Sequence, residues 1–290
     1  MHWLFHDYAQ ATNTKDRQVL FAALAGFVLS IALLYYATRP TAPRMNKDTW
    51  NKFTLIKKIP LSPTTSIYRF KLRKGDSLNI PIGQHISVRA MINGRNIMRS
   101  YTPVSTNDTK DYFDLLVKSY PKGNVSRVFG ELKIGDKLEM KGPKGMFDYH
   151  PNMADSIGMI AGGSGLTPCL QVLEAALREP RDHTKFSLLY ANVSEDEILL
   201  RDRLDALAEL HPSRFKVRYF LDRPPTDWEH GVGFISKDEI AKHLPPPHER
   251  NRVVMCGPPP MVESMKGHLA GLMHPKPNPL SKADDPVFIF

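Results

Sequence analysis

Hydrophobic and polar positions follow three different rhythms along this chain. From Val19 to Ala37 the run VLFAALAGFVLSIALLYYA is uncharged, flanked by Arg17 and Arg39. At about 1.5 Å of rise per residue, such a helix spans most of a bilayer core of roughly 30 Å. Tyr35 and Tyr36 fall where an interfacial aromatic belt would lie. The run is too long for a signal-peptide core and lacks the polar face of a buried soluble helix. These features predict a retained anchor over 19–37, after a tail over 1–18 and before a linker over 38–49 that bears prolines and charges.

From about 50 to 152 the period is two. In HISVRAMI, Ile86, Val88, Ala90 and Ile92 alternate with His85, Ser87, Arg89 and Met91. In YFDLLVKS, Phe113, Leu115 and Val117 face one way, and Asp114, Leu116 and Lys118 the other. Short alternating strands broken by Gly, Pro and Asn predict an antiparallel barrel. Over 153–290 the rhythm changes again. Apolar runs at SIGMIAG, KFSLLYAN, FKVRYFL and RVVMCG alternate with helical stretches, and VFIF at 287–290 adds a last strand. SKDEIAKHL opens with Ser236 and carries Glu239 three residues on, a capping-box start. Strands alternating with helices predict a parallel sheet with helices on both faces, whose ligands bind at the carboxyl ends of the strands.

Charge and cysteine count narrow the partners. The 290 residues carry a net charge of +9, which favours acidic partners, anionic cofactors or a membrane surface. Basic residues are scattered, without a basic helix or a basic–aromatic ladder, so nucleic acid is not an expected partner. Two cysteines, Cys169 and Cys256, make no disulfide framework and fit a reducing compartment. Arg39, Arg44 and Lys47 outnumber Lys15 and Arg17, placing the large C-terminal part in the cytosol by the positive-inside bias. Three glycosylation-type triplets, at Asn107, Asn124 and Asn192, point the same way, because a glycan at Asn124 would sit in a predicted cofactor loop.

Three motifs carry candidate chemistry. RSYTPVS, Arg99 to Ser105, offers a planar guanidinium suited to a diphosphate, a flat ring at Tyr101 and a hydroxyl at Thr102. Taken alone it fits an exposed strand end equally well. GNVSRVFGEL, Gly123 to Leu132, allows a short helix beginning at Ser126 whose free N–H groups suit a phosphate. A capped helix without ligand fits as well, and Lys118 nearby adds charge or is simply solvated. AGGSGLTP, Ala161 to Pro168, is a glycine turn between strand and helix, and CGPPPM, Cys256 to Met261, closes another strand.

In order and spacing, GQHI at 83–86, RSYTPVS, DLLVKSY, GNVS, GPKG at 142–145, MIAGGSGLTP, EDEILLR at 195–201, CGPPPM and VFIF resemble the ferredoxin-reductase-like flavoenzymes, and most closely the NADH–cytochrome b5 reductase family. The fungal membrane-bound form has similar SYPKGNVS wording and a similar anchor. The resemblance implies an FAD-binding β-barrel followed by a Rossmann-like NAD-binding domain. It implies FAD contacts at Arg99, Ser100, Tyr101, Thr102, Leu116, Lys118, Asn124, Val125, Ser126 and Thr167. It implies coenzyme contacts at Gly162, Gly163, Ser164, Gly165, Cys256, Gly257, Pro258, Pro259 and Met261, with Thr102 near the flavin N5 edge and Cys256 beside the nicotinamide. Cys256 also reads as a small buried apolar residue, with no need of thiolate chemistry.

Glu197, beyond the second parallel strand, is a carboxylate able to accept from adenosine ribose hydroxyls and to repel a 2′-phosphate, which selects NADH. The alternative is a glutamate that merely starts a helix EDEILLRDRLDAL. Relatives place histidine in the first-strand turn where this chain has Pro63, so the resemblance leaves the proton-relay role without a group. The implied reaction takes hydride from NADH onto FAD and passes single electrons to cytochrome b5 or another acidic one-electron acceptor. A small iron protein of diphthamide synthesis is one such acceptor in fungal relatives. The implied membranes are the endoplasmic reticulum and the mitochondrial outer membrane. The competing readings are a flavin reductase for a different carrier and a cofactor-less, membrane-tethered binding protein.

Overall fold

The computed structural model describes residues 14–38 and 42–290. Helix α1, Thr14–Thr38, forms by itself a unit distinct from residues 43–290. Between Arg17 and Leu34 it is long and apolar enough to cross a membrane, and none of its described side chains there is buried, with Phe21 and Val28 among the exposed ones. Arg39 and the side chains of Tyr35 and Tyr36 lie outside the described residues.

Residues 43–290 carry two sheets. The first is antiparallel: β1 (Asn51–Pro60), β2 (Thr65–Lys71), β3 (His85–Ile92), β4 (Arg95–Tyr101), β5 (Tyr112–Lys118) and β6 (Lys137–Lys144), in the order β4-β3-β6-β1-β2-β5. Asn93 and Gly94 both take positive φ (49° and 74°) and form the two-residue turn that a right-twisted hairpin requires between β3 and β4. The sheet ends meet where Pro103 bridges Leu115 and Val104 N–H donates to the Asp114 carbonyl at 2.9 Å. Inside sit Phe53, Phe70, Phe113, Ile86 and Val88, plugged by Phe129 from helix α2 (Val125–Glu131). Helix α2 opens one residue before the predicted Ser126 because Val125 is pulled into this core. Asn124 caps it without a side-chain bond.

The second sheet is parallel: β7 (Ser156–Gly162), β8 (Lys185–Asn192), β9 (Phe215–Leu221), β10 (Gly231–Val232), β11 (Asn251–Cys256) and β12 (Val287–Ile289), in the order β10-β9-β8-β7-β11-β12. Helices α3 (Leu166–Arg178) and α4 (Arg201–Leu210) bury Leu170, Leu173 and Leu204 on one face. Helices α5 (Lys237–His243) and α6 (Pro259–Gly271) bury Ile240, Met265 and Leu269 on the other. Strands β8 to β10 build outward on one side of β7 and β11 on the other, so the order reverses between β7 and β11.

Two local expectations need correction. Ser236 Oγ does accept from Glu239 N–H at 3.2 Å, but the Glu239 carboxylate pairs with Arg218 at 3.1 Å instead of closing the capping box. EDEILLRDRLDAL is not one helix. Glu195–Glu197 is a single 3-10 turn, Ile198 and Leu199 dive into the core, Leu200 takes a left-handed φ of 57°, and only then does α4 begin.

The sheets are joined along a seam. The outer face of β5 is covered, so Leu116 shares a cluster with Val104, Phe147 and Leu166. Gln171 of α3 accepts from Gly83 N–H at 2.8 Å and donates to the Gln84 carbonyl at 3.2 Å. Arg203 of α4 pairs with the buried Glu174 and donates to the Val104 carbonyl at 3.2 Å.

Candidate active site

Reversal of strand order opens a crevice at the carboxyl ends of β7 and β11, where such sheets bind ligands. Both predicted coenzyme loops lie there and touch. A Cβ on Gly165 would strike the Cys256 carbonyl and lie 2.9 Å from Gly257 N. A Cβ on Gly162 would lie 2.5 Å from Met261 Sδ and 2.9 Å from Pro258 Cδ. Only glycine permits this approach. Gly163, with φ of 52°, faces open space, and its carbonyl accepts from the Tyr190 hydroxyl at 3.0 Å. Thr167 Oγ1 donates to the Ser164 carbonyl at 3.2 Å, which holds the turn. Pro259 opens α6, where its missing N–H costs nothing. Burial pushes the Cys256 thiol up to about 11, so it stands there neutral, as wall and not as a nucleophile.

One strand of the barrel lies next to this crevice. Strand β5 runs against the turn Gly163–Gly165, and the Pro103–Leu115 bridge brings Thr102 to its flank. Arg99 and Ser100 are exposed. Arg99 Nη1 bonds only the adjacent Met98 carbonyl, at 2.8 Å, and faces no carboxylate among the described residues. Tyr101 is half-buried, its ring 5.0 Å from that of Phe129, and Thr102 is buried. A Cβ on Gly123 would run into the Ser126 hydroxyl, so glycine is what lets that side chain turn back over the loop. Leu116 and Val125 are buried in packing clusters, which leaves their backbones to meet any ligand.

Lys118 and Glu197, predicted for different dinucleotides, are ion-paired across the seam at 3.1 Å. Strand patterning has no means of anticipating that contact. Asp222, just past β9, is exposed on the same rim with no ion pair among the described residues, and its N–H donates to the Asn192 carbonyl at 3.1 Å. Sequence reasoning missed it, although an acidic residue closing a parallel strand was the available signal. His85 was missed too. Ile86 pairs with Tyr101, so extending the ladder by one residue sets His85 opposite Thr102. Burial, and then the positive charge of Lys144, lowers its pKa and keeps it neutral at pH 7. Pro63 lies exposed in the β1–β2 turn, while an imidazole stands here instead.

This geometry agrees with comparisons to known proteins. The family model described as oxidoreductase FAD-binding domain matches residues 52–149, and the one described as oxidoreductase NAD-binding domain matches 159–267. The NADH-cytochrome b5 reductase 1 of Mycosarcoma maydis is 48% identical, over 98% of this chain and 88% of its own. The chain belongs to the NADH–cytochrome b5 reductase family. Its counterpart in Debaryomyces hansenii is 47% identical over 94% and 97% of the two chains. The cytochrome b5 reductase domain of Ulva prolifera nitrate reductase superposes with a TM-score of 0.77 at 36% identity, covering 86% of this chain and all of that domain. The CS-b5R domains of human Ncb5or give 0.70 at 27%, covering 83% and 69%.

Membership in this family implies bound FAD, and the residues present fit it. A guanidinium without a carboxylate, a half-buried tyrosine and a buried threonine line one end of the barrel. Strand β5, bridged to Pro103 next to that threonine, runs against a glycine turn that faces open space.

Proposed function

We propose that this chain takes hydride from NADH onto bound FAD and passes electrons singly to cytochrome b5. The observation that carries this reading is continuity. Thr102 and Pro103 lead to β5, β5 to the glycine turn, and the glycine turn to Cys256 and Met261. Two flat ligands held by these segments would meet at the seam, and holding both reactants in one geometry is the main source of rate in such a transfer. Flavin supplies the redox chemistry itself, accepting two electrons together and releasing them one at a time.

The chain's own groups do the rest. Arg99 would neutralise the diphosphate, with Ser100, Lys118, Asn124, Ser126 and the backbones of Leu116 and Val125 around it. Tyr101 would pack on the ring system, and Thr167 would brace the turn beneath. Thr102, and His85 one step beyond the Ile86–Tyr101 pair, would hold a proton at the flavin edge. Gly162 to Gly165 would admit the coenzyme, and Cys256 to Met261 would wall its nicotinamide.

Glu197 and Asp222 both stand on the rim where adenosine ribose would lie. Glu197 is engaged by Lys118 and Asp222 is not, so discrimination against a 2′-phosphate rests on Asp222 at least as much as on Glu197. Cytochrome b5 as acceptor draws support from the names of the relatives, and the net charge of +9 favours an acidic partner. A cofactor-less tethered protein would not need Arg99 left without a carboxylate.

Helix α1 would anchor the enzyme in the endoplasmic reticulum or mitochondrial outer membrane, with residues 43–290 in the cytosol; carbonate extraction and protease protection of the separated membranes test this. The activity is tested by anaerobic titration of the detergent-solubilised chain with NADH and then with oxidised cytochrome b5. Bleaching of the flavin band followed by the reduced haem band is expected. A colourless protein that cannot be reconstituted with FAD overturns the reading.

A further inference from the structure

We infer that Arg201 is a positioning residue for coenzyme selection, fixing the rim on which Glu197 and Asp222 stand. This rests on the coenzyme crevice proposed above. Arg201 is the first residue of α4, directly after the left-handed Leu200. Its guanidinium carbon lies 5.5 Å from the ring centres of both Tyr219 and Trp228. Nη1 pairs with Glu195, and Nε lies 3.5 Å from Asp205 Oδ2. The Tyr219 hydroxyl donates to the other Asp205 oxygen at 2.5 Å, and Trp228 Nε1 donates to the Gly231 carbonyl at 2.9 Å. The His230 ring centre is 5.1 Å from those of Tyr219 and Trp228.

One side chain thus grips every segment that presents a rim carboxylate. Glu195 belongs to the same 3-10 turn as Glu197. Tyr219 lies on β9, which ends at Leu221 immediately before Asp222. Trp228 and His230 lie on the segment that leaves Asp222 and returns to β10. These segments have other ties, Lys118 to Glu197 and the Asp222 N–H to the Asn192 carbonyl among them, but Arg201 is the side chain that joins all three. A planar guanidinium suits this place, since it can stack on two rings while one N–H donates to Glu195 and its charge faces Asp205; a lysine ammonium cannot do both.

The test compares Arg201→Gln, Arg201→Lys and Glu195→Gln in the full-length holoenzyme, measuring NADH and NADPH kinetics, flavin content and melting temperature. For Arg201→Gln, KM for NADH should rise and the NADH/NADPH ratio of kcat/KM should fall, each by about three- to tenfold. The limiting rate should move by less than about twofold and flavin content should hold. Arg201→Lys, which keeps the charge, should recover melting temperature but not KM. Glu195→Gln leaves the guanidinium on its rings and should give a smaller shift of the same sign; it stands in if the Arg201 variants do not fold.

Unchanged KM and ratio in the folded variants, or a KM that simply tracks melting temperature across the three, overturns the inference. Asp222→Thr and Glu197→Thr, run alongside, separate the two levels. If either moves the ratio and the Arg201 variants do not, only the positioning role fails. If none does, the rim reading itself is wrong.

Discussion

Replacing Gly165 by alanine tests the proposed crevice most directly, because the cost can be worked from the contact. The new Cβ would meet the Cys256 carbonyl carbon at 2.6 Å and Gly257 N at 2.9 Å, whereas ordinary contact begins near 3.4 Å. Both neighbours are backbone atoms, so no rotamer change relieves the clash. The β11 loop has to retreat by most of an ångström. Overpacking of this kind costs about 1–3 kcal/mol of stability. A misplacement of about 1 Å between reacting groups costs on the order of a hundredfold in rate.

Gly163→Ala is the internal control. Its φ of 52° strains any L-residue, by roughly 1–2 kcal/mol, but its Cβ meets nothing within 4 Å. The two variants should therefore lose similar stability by thermal melting. In anaerobic stopped-flow with NADH, Gly165→Ala should slow the limiting rate of flavin reduction about a hundredfold. Gly163→Ala should instead weaken NADH binding while the two loops stay in register. Equal limiting rates for the two variants, or a wild-type rate in Gly165→Ala, would refute the claim that contact between the loops sets the reaction geometry.

Three further outcomes follow from the same structure. Arg99→Ala should weaken flavin retention by roughly 1.5–3 kcal/mol, the worth of hydrogen bonds to a charged group, read as FAD released on dilution or gel filtration; undiminished flavin content contradicts its role. Glu197→Thr and Asp222→Thr should each relax the preference for NADH over NADPH, with the larger effect at Asp222 because Glu197 is already paired with Lys118; unchanged ratios in both remove the carboxylate account. His85, His230 and His274 all have pKa values lowered by burial. The unfolded chain therefore binds more protons than the native one below about pH 6.5, and stability should fall as pH drops through the depressed native values; a denaturant midpoint that holds constant from pH 7 to pH 5 contradicts this.

What was legible in the chain depended on how far apart the interacting residues lie. Alternation in HISVRAMI and YFDLLVKS revealed β3 and β5 because inward positions repeat every second residue, a strictly local signal. The same alternation could not say that the outer face of β5 is covered, since Leu116 is buried largely among residues from beyond position 140. EDEILLRDRLDAL looks helical because acids precede leucines. Burial of Ile198 and Leu199 turns the chain inward and delays the helix to Arg201, and that is a tertiary decision. The Lys118–Glu197 pair draws on both sheets and has no local signature, and in the cage around Arg201 only the Asp205 contact, four residues on, is local. His85 is the instructive case. Asn93-Gly94 between two alternating runs announces a two-residue hairpin, and such a turn fixes the register. Counting outward from it places His85 one step beyond the Ile86–Tyr101 pair that ends the ladder, on the side of Thr102. That imidazole was readable from sequence alone, through the turn that sets its partner and not through any motif around it.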